Sequence, residues 1–336
     1  MKSQISIIAF IIFIHAFAGC QMQNEKKENN DFPVLMGPYL GQKPPGMTPE
    51  LFAPGIISYG FHELRITFSP DGDEAFYVTC PNKYSHRILV HVSSNNNKWS
   101  APQLVPFAWE CNNGGPSFSP DGSRLYFASN KDNTEIIMDG SGLDIWYIER
   151  NGTSWTDPVK LPETINSNLG EFAPSIASNG NLYFGVTDKN YKTFIYCSKF
   201  QAGKYIAREK IKIDLQPDIN IGSAFIAPDE SYLLFQANMD SGFGRNDIYV
   251  SFRNKEGIWD APVNLGEKIN SEYNDFGPRV SFDGKYLFFT SDRNYPAEMY
   301  KGKNFSELIE MLKSPRNGYG TLYWADAKII DELRPY

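Results

Sequence analysis

Acidic and basic side chains that could do chemistry recur in short loops of this 336-residue chain, each just before an alternating hydrophobic segment. These loops carry Glu63, Glu171 and Asp275 at roughly matching positions, and Arg65 and Arg279 follow two and four residues after an acid. If the loops meet, paired carboxylates could cleave a glycosidic bond, which requires separations of roughly 5 to 10 Å. The same residues could instead bind a ligand. A structural alternative is that the shared Glu-Phe and Asp-Phe pairs cap turns and pack one repeat on the next.

Signals of other catalytic sites are lacking in the sequence. Three histidines lie beyond the N-terminal segment, His62, His86 and His91, and none pairs at a metal-ligand spacing such as His-x-x-x-His. There is no Gly-x-Ser-x-Gly nucleophile elbow. We therefore expect no catalytic residue, no metal and no cofactor. The five loop residues are predicted to bind a ligand, and a carbohydrate-active hydrolase that uses the loop carboxylates is the alternative.

A turn followed by a strand recurs five times along the chain. In Pro120-Asp121-Gly122, proline presets φ, aspartate can bond the backbone that follows it, and glycine supplies a positive φ. Successive copies are 50, 58, 50 and 54 residues apart, measured at Asp71, Asp121, Asn179, Asp229 and Asp283. A period of this length indicates a repeat architecture.

Each repeat continues with a third strand, as in Asp144-Ile-Trp-Tyr-Ile148, and three of the repeats then have a proline-containing fourth segment, as in Trp155-Thr-Asp-Pro158. Proline lacks an amide donor, so this fourth strand should lie outermost. Four antiparallel strands per repeat predict an all-β fold, a β-propeller of five four-stranded blades. The alternative is six blades, with a degenerate blade hidden in residues 292–319.

The two ends of the repeat region predict how the ring closes. The last repeat lacks a fourth strand, and residues 327–334 read as a short helical tail. Residues 49–57 resemble the fourth-strand segments of the other repeats. We therefore expect this N-terminal segment to supply the outer strand of the last blade, which removes an unpaired sheet edge.

The first residues predict export. Residues 1–19 have a short positive start and an apolar run, and small residues precede Cys20, as in a lipoprotein signal peptide. Cys20 would then be lipidated and anchor the protein to the membrane; an uncleaved anchor or an ordinary secretory signal is the alternative. Residues 20–48 read as a polar tether. Residues 49–336 form one propeller domain with a loop and short-helix insertion at 292–319.

Composition limits the partners. The formal net charge is −7 and the isoelectric point is about 5.3, with no cluster of basic residues that could follow a phosphate backbone, so nucleic acid is not expected. Hydrophobic residues make up 41% of the chain, which is enough for a packed core.

Three cysteines follow Cys20. Cys80 and Cys111 are placed by the repeat pattern on the same rim of the propeller, and a disulfide between them is one expectation. Two independent buried thiols are the other. Cys197 is predicted to pack in the core.

The repeat also resembles a known family. Phe118-Ser-Pro-Asp-Gly-Ser-Arg-Leu-Tyr-Phe127, together with Asp144-Ile-Trp-Tyr147, is similar to the WD-repeat-like propeller units of TolB-type periplasmic proteins and of envelope lipoproteins. The resemblance covers roughly residues 49 to 334 and is specific for the fold rather than for a function. It implies a binding protein of the bacterial cell envelope, periplasmic or at the outer membrane, whose partner is an envelope protein, a peptide or a glycan.

Overall fold

The structure is a computed structural model that describes residues 32–82, 86–132, 142–216 and 219–335. The predicted signal peptide, the lipidation site Cys20 and the first part of the predicted tether lie outside these residues. From Val34 onward the described residues form one compact unit. No helix within the described ranges is long and apolar enough to cross a bilayer.

Five antiparallel sheets are built to one design, in which the first strand of each repeat is innermost and the next two follow outward. Blade 5 takes its outer strand from the N-terminal segment, β1 (Glu50–Leu51). The strands of blades 1 and 2 are β2 (His62–Phe68), β3 (Glu74–Cys80), β4 (Ile88–Asn95), β5 (Lys98–Trp99), β6 (Gln103–Leu104), β7 (Asn113–Phe118), β8 (Arg124–Ser129), β9 (Asp144–Asn151), β10 (Ser154–Trp155) and β11 (Val159–Lys160). The strands of blades 3 to 5 are β12 (Gly170–Ile176), β13 (Leu182–Thr187), β14 (Thr193–Ser198), β15 (Phe200–Gln201), β16 (Lys204–Tyr205), β17 (Glu209–Lys210), β18 (Ile221–Ile226), β19 (Tyr232–Ala237), β20 (Asp247–Phe252), β21 (Val263–Asn264), β22 (Asp275–Val280), β23 (Tyr286–Ser291) and β24 (Thr321–Asp326).

The predicted five-bladed propeller is confirmed, and so is its closure. Glu50 and Leu51 of β1 pair antiparallel with Trp324 and Tyr323 of β24, so the first strand of the domain completes the last sheet. In residues 292–319 the structure has a 3-10 turn at Ala297–Tyr300 and the helix α1 (Phe305–Leu312) but no strand, which rules out the six-bladed alternative.

The short elements follow from local capping chemistry. Asn304 caps α1: its side chain accepts from the Glu307 N–H, and the Glu307 side chain accepts in return from the Asn304 N–H. The predicted helical tail is α2 (Lys328–Glu332). In the recurring turns, the Asp121 carboxylate accepts hydrogen bonds from Ser119 and Ser123, and Gly122 has a φ of +69°.

The core lies between neighbouring blades and is rich in aromatic residues. At the closure, the fully buried ring of Phe52 packs edge-on against Phe68 of blade 1 and against Phe288 and Trp324 of blade 5, with ring centroids 5.1 to 5.9 Å apart. The predicted tether is partly packed, since Leu40 is buried in the same cluster. The Trp99 indole N–H donates to the Gly37 carbonyl at 2.7 Å, which holds this segment against blade 1.

The disulfide expected as one possibility between Cys80 and Cys111 is not formed, and Cys80, Cys111 and Cys197 are separate buried thiols. Cys111 faces the side chains of its own blade: the Ser129 hydroxyl donates to its sulfur at 3.2 Å, and the thiol contacts Asn113 Oδ1 at 3.4 Å. Burial raises the pKa of Cys80 and of Cys197 to about 11, so both thiols are protonated at neutral pH.

Candidate functional site

The three predicted acids lie near the start of the innermost strands of blades 1, 3 and 5, and Glu63, Glu171 and Asp275 are all fully buried. Each carboxylate accepts a hydrogen bond from the backbone N–H four residues earlier in its own loop. The donors are Tyr59, Ser167 and Ser271, at 3.2, 3.2 and 2.6 Å. Each acid therefore closes the turn that leads into its strand, as the structural alternative requires.

The three acids differ in their charge partners. Glu171 is paired with Arg208 at 2.6 Å, and Asp275 with Arg293 at 3.4 Å. Glu63 has no such partner among the described residues, and its buried Oε2 makes no hydrogen bond. Burial raises the pKa of Glu63 to about 7, against the lowering effect of the loop N–H groups. Burial also raises the pKa of Asp275, although the Arg293 guanidinium opposes this.

A ring of equivalent backbone positions surrounds the channel. Every innermost strand has an irregular register at its third or fourth residue, and one residue there has a positive φ. The ring consists of Arg65, Gly115, Ala173, Ser223 and Gly277, with φ values of +38°, +59°, +51°, +55° and +65°. Four of these residues are small, as expected where five strands converge, and the arginine of blade 1 breaks the pattern.

Arg65 extends from its own blade across this ring. Its Nη2 donates to the Ser223 hydroxyl in blade 4. A Cβ atom built on Gly115 of blade 2 would lie 3.0 Å from Arg65 Nη1, and one built on Gly277 of blade 5 would lie 2.8 Å from Arg65 Cγ. The small residues of the other blades therefore leave the space that the arginine fills.

Arg279 is buried within the same set of strands. Its two terminal nitrogens donate to the Ala224 carbonyl in blade 4 at 2.7 Å and to the Pro174 carbonyl in blade 3 at 2.8 Å. Burial lowers the pKa of Arg279 to about 10. This arginine therefore links three blades through the backbone carbonyls of two of them.

An open cavity of about 280 Å³ lies at one end of the channel, on the face where the loops that lead into the innermost strands meet the loops between the second and third strands. We call it the channel mouth. It is lined by residues of blades 1 to 4, namely Arg65, Arg87, Gly114, Ala128, Leu143, Phe172, Thr187, Thr193, Asn220, Gly222, Ser223, Gln236 and Asn246. Of the five predicted site residues it includes Arg65 alone; Glu63, Glu171, Asp275 and Arg279 lie outside its lining.

Most of the residues that line this cavity, including Arg87, were not predicted from the sequence. Arg87 precedes the third strand of blade 1, in a loop whose composition gives no sign of a site. The unusual position of Arg65 can be seen in the sequence. When the five innermost strands are aligned on the turns that follow them, Arg65 stands where the other four repeats have Gly, Ala, Ser and Gly.

The described residues that line the channel mouth supply hydrogen-bonding groups and cations but no acid. Among the described residues, no group of three or more His, Cys, Asp or Glu is arranged to hold a metal ion. Amides, hydroxyls and two guanidiniums can bind polar and anionic groups.

Similarity to known proteins is found among solved structures. No protein-family model matches the chain, and the search of curated proteins finds no match. Among solved structures, a putative TolB from Agrobacterium tumefaciens is 15% identical with a TM-score of 0.47 over 79% of this chain and 90% of that one. TolB from Acinetobacter baumannii is 14% identical with a TM-score of 0.44; the match covers 80% of this chain and 57% of the length of that protein. A protein of unknown function from Dyadobacter fermentans is 14% identical with a TM-score of 0.44, over 74% of this chain and 80% of that one.

Proposed function

We propose that this protein is a binding module of the bacterial cell envelope, anchored to the membrane by a lipid on Cys20, that binds a protein, a peptide or a glycan at the channel mouth. One observation supports the site: the scaffold repeats, whereas the side chains that line this cavity differ from blade to blade. Such side chains on a rigid repeated frame are where binding specificity usually lies.

The size of the cavity limits what enters it. At about 280 Å³ it is just below the range of roughly 300 to 1,000 Å³ that is typical of small-molecule pockets. One sugar unit, one amino-acid side chain or the end of a longer chain would fill it. A larger partner would insert only such a group.

Carbohydrate hydrolysis by Glu63, Glu171 and Asp275 has no comparable support. None of these carboxylates lines the channel mouth, and each is hydrogen-bonded within its own loop. The positions of these carboxylates therefore give the hydrolase alternative no support.

The proposed function is tested by filling the cavity. A side chain at Gly222 would begin 3.6 Å from the Phe172 ring, an ordinary contact, so Gly222→Leu narrows the cavity without a backbone clash. Gly46 has open space around it, which makes Gly46→Leu a matched control. The full chain and both variants are incubated with small glycan and peptide fragments released from bacterial envelopes, and bound compounds are measured by mass spectrometry.

We expect at least one compound to be retained by the unchanged protein and by Gly46→Leu, and to be retained at least tenfold less by Gly222→Leu. If the three proteins retain the same compounds in equal amounts, or retain none, the channel mouth is not the binding site.

A further inference from the structure

Two arginines give the described lining of the channel mouth a positive charge. Arg65 and Arg87 line it, and no Asp or Glu of the described residues does. None of the ion pairs formed between described residues includes either arginine. Burial, together with the nearby charges of Arg279 and Arg87, lowers the pKa of Arg65 to about 9. An anion in this cavity would relieve the repulsion between these guanidiniums.

The two guanidiniums lie against adjacent glycines of β7. A Cβ atom on Gly114 would be 4.0 Å from Arg87 Nη1, and one on Gly115 would be 3.0 Å from Arg65 Nη1. Because neither glycine has a side chain, both arginines reach the same stretch of strand. They are therefore placed to bind one anionic group together.

Hydrogen-bonding capacity at the channel mouth is also left unused. Thr187 is only 3% exposed, and its hydroxyl oxygen has no hydrogen-bond partner among the described residues, although the residue lines the cavity. A buried polar atom without a partner is costly, and a bound ligand that carries a hydroxyl group would satisfy it. This observation is independent of the charge.

The remaining walls indicate what the anion is attached to. Thr193, Asn220 and Asn246 supply further hydroxyl and amide groups, whereas Phe172 and Leu143 supply apolar surface. A bare inorganic ion would leave the apolar wall uncovered. A small carbon skeleton with several hydroxyl groups would contact both kinds of wall.

We propose that the channel mouth binds a hydroxylated carboxylate, with the carboxylate held between Arg65 and Arg87 and the hydroxyl groups bound by the Thr and Asn side chains. A free sugar acid and an acidic sugar unit within a glycan share this chemistry. The inference rests on the proposed function and adds the chemical class of the ligand.

The test is a calorimetric titration of the full chain with D-glucuronate, at fixed ionic strength. D-glucose has the hydroxyl groups without the carboxylate, propionate has the carboxylate without the hydroxyl groups, and inorganic phosphate is a different oxyanion. We expect D-glucuronate to bind at least tenfold more tightly than each of the three. A short glucuronate-containing oligosaccharide distinguishes the two sources: tighter binding of the oligosaccharide than of the monomer indicates a glycan.

Three variants test whether the two arginines bind the carboxylate of the ligand. Arg87→Gln should weaken D-glucuronate binding at least tenfold, because it removes the charge of a half-buried side chain that lines the cavity. Gly114→Asp places a carboxylate beside Arg87 and should abolish binding while raising the melting temperature relative to Gly114→Asn. Gly114→Asn has the same size without the charge and should retain more binding than Gly114→Asp.

Equal binding of D-glucose and D-glucuronate would overturn the carboxylate assignment, and equal binding of phosphate would overturn the hydroxylated-ligand assignment. Equal affinities of Gly114→Asp and Gly114→Asn would show that the arginines do not hold the anion. If the envelope-fragment experiment finds a neutral compound that depends on Gly222, the proposed function stands and this inference fails. If no compound depends on Gly222, both fail.

Discussion

Of the three acids that begin the innermost strands of blades 1, 3 and 5, Glu63 is the one without a cationic partner among the described residues, and this determines how its charge affects stability. Glu171 and Asp275 each have an arginine nearby, whereas the Oε2 atom of Glu63 makes no hydrogen bond. A carboxyl group with a raised pKa holds its proton more tightly in the folded protein than in the unfolded chain. Its contribution to stability is therefore fully present below pH 4.5 and is lost as the pH rises toward 7.

We predict that Glu63→Gln removes this pH dependence. The glutamine Oε1 can still accept from the Tyr59 and Phe61 N–H groups. Between pH 4.5 and pH 8 the free energy of unfolding of the variant should rise relative to that of the unchanged protein by roughly 3 kcal/mol at most. Urea unfolding at pH 5, 6, 7 and 8 measures the difference, and exposed Glu256→Gln is the control. Parallel pH profiles for Glu63→Gln and the unchanged protein would contradict a raised pKa.

The closing strand β1 is the element on which the ring depends. It contributes only two residues to the sheet of blade 5, but Phe52, which follows it, is fully buried between blades 1 and 5. Closure by a strand from the other end of the chain therefore depends more on this aromatic packing than on backbone hydrogen bonds.

We predict that Phe52→Ala lowers the free energy of unfolding by about 3 to 5 kcal/mol, because it removes a ring that contacts three other aromatic residues and leaves a cavity. Val263→Ala, on the partly exposed outer strand of blade 4, should cost less than about 1 kcal/mol. Chemical denaturation of both variants provides the comparison. Similar losses for the two would mean that the closure contributes no more than an ordinary outer strand.

The elements were predictable because their signals are local. The Pro-Asp-Gly turns, the alternating strands and the proline-bearing outer strands are each encoded within a few residues, and the repeat period supplies the count of five blades. The capping box at Asn304 and Glu307 is equally local. Closure by residues 49–57 could be inferred because the last repeat lacks a fourth strand.

The site was not predictable in the same way, because it depends on contacts between residues far apart in sequence. Arg65 reaches Ser223, 158 residues away, and Arg279 reaches Pro174, 105 residues away. Sequence alone placed the acids and arginines on one rim. It did not show that the acids would be hydrogen-bonded within their own loops while Arg65 and Arg87 were left facing a cavity.

At the scale of the whole molecule, a repeated frame surrounds an asymmetric centre. Small ring residues from four blades make room for Arg65 of blade 1. The cavity beside it has cations, amides and the Thr187 hydroxyl, which has no partner among the described residues. Net charge does not predict such a site, since the chain as a whole is acidic at −7. A local cluster of positive charge on an acidic protein attracts an anion only at short range, where screening by salt is incomplete.

A crystal structure of the full chain with D-glucuronate would show directly whether the channel mouth binds a hydroxylated carboxylate. We expect the sugar in the channel mouth, with its carboxylate oxygens about 2.7 to 3.0 Å from guanidinium nitrogens of both Arg65 and Arg87 and a hydroxyl group on Thr187. A channel mouth that holds only water at saturating D-glucuronate, or a sugar whose carboxylate points away from both arginines, would contradict this expectation.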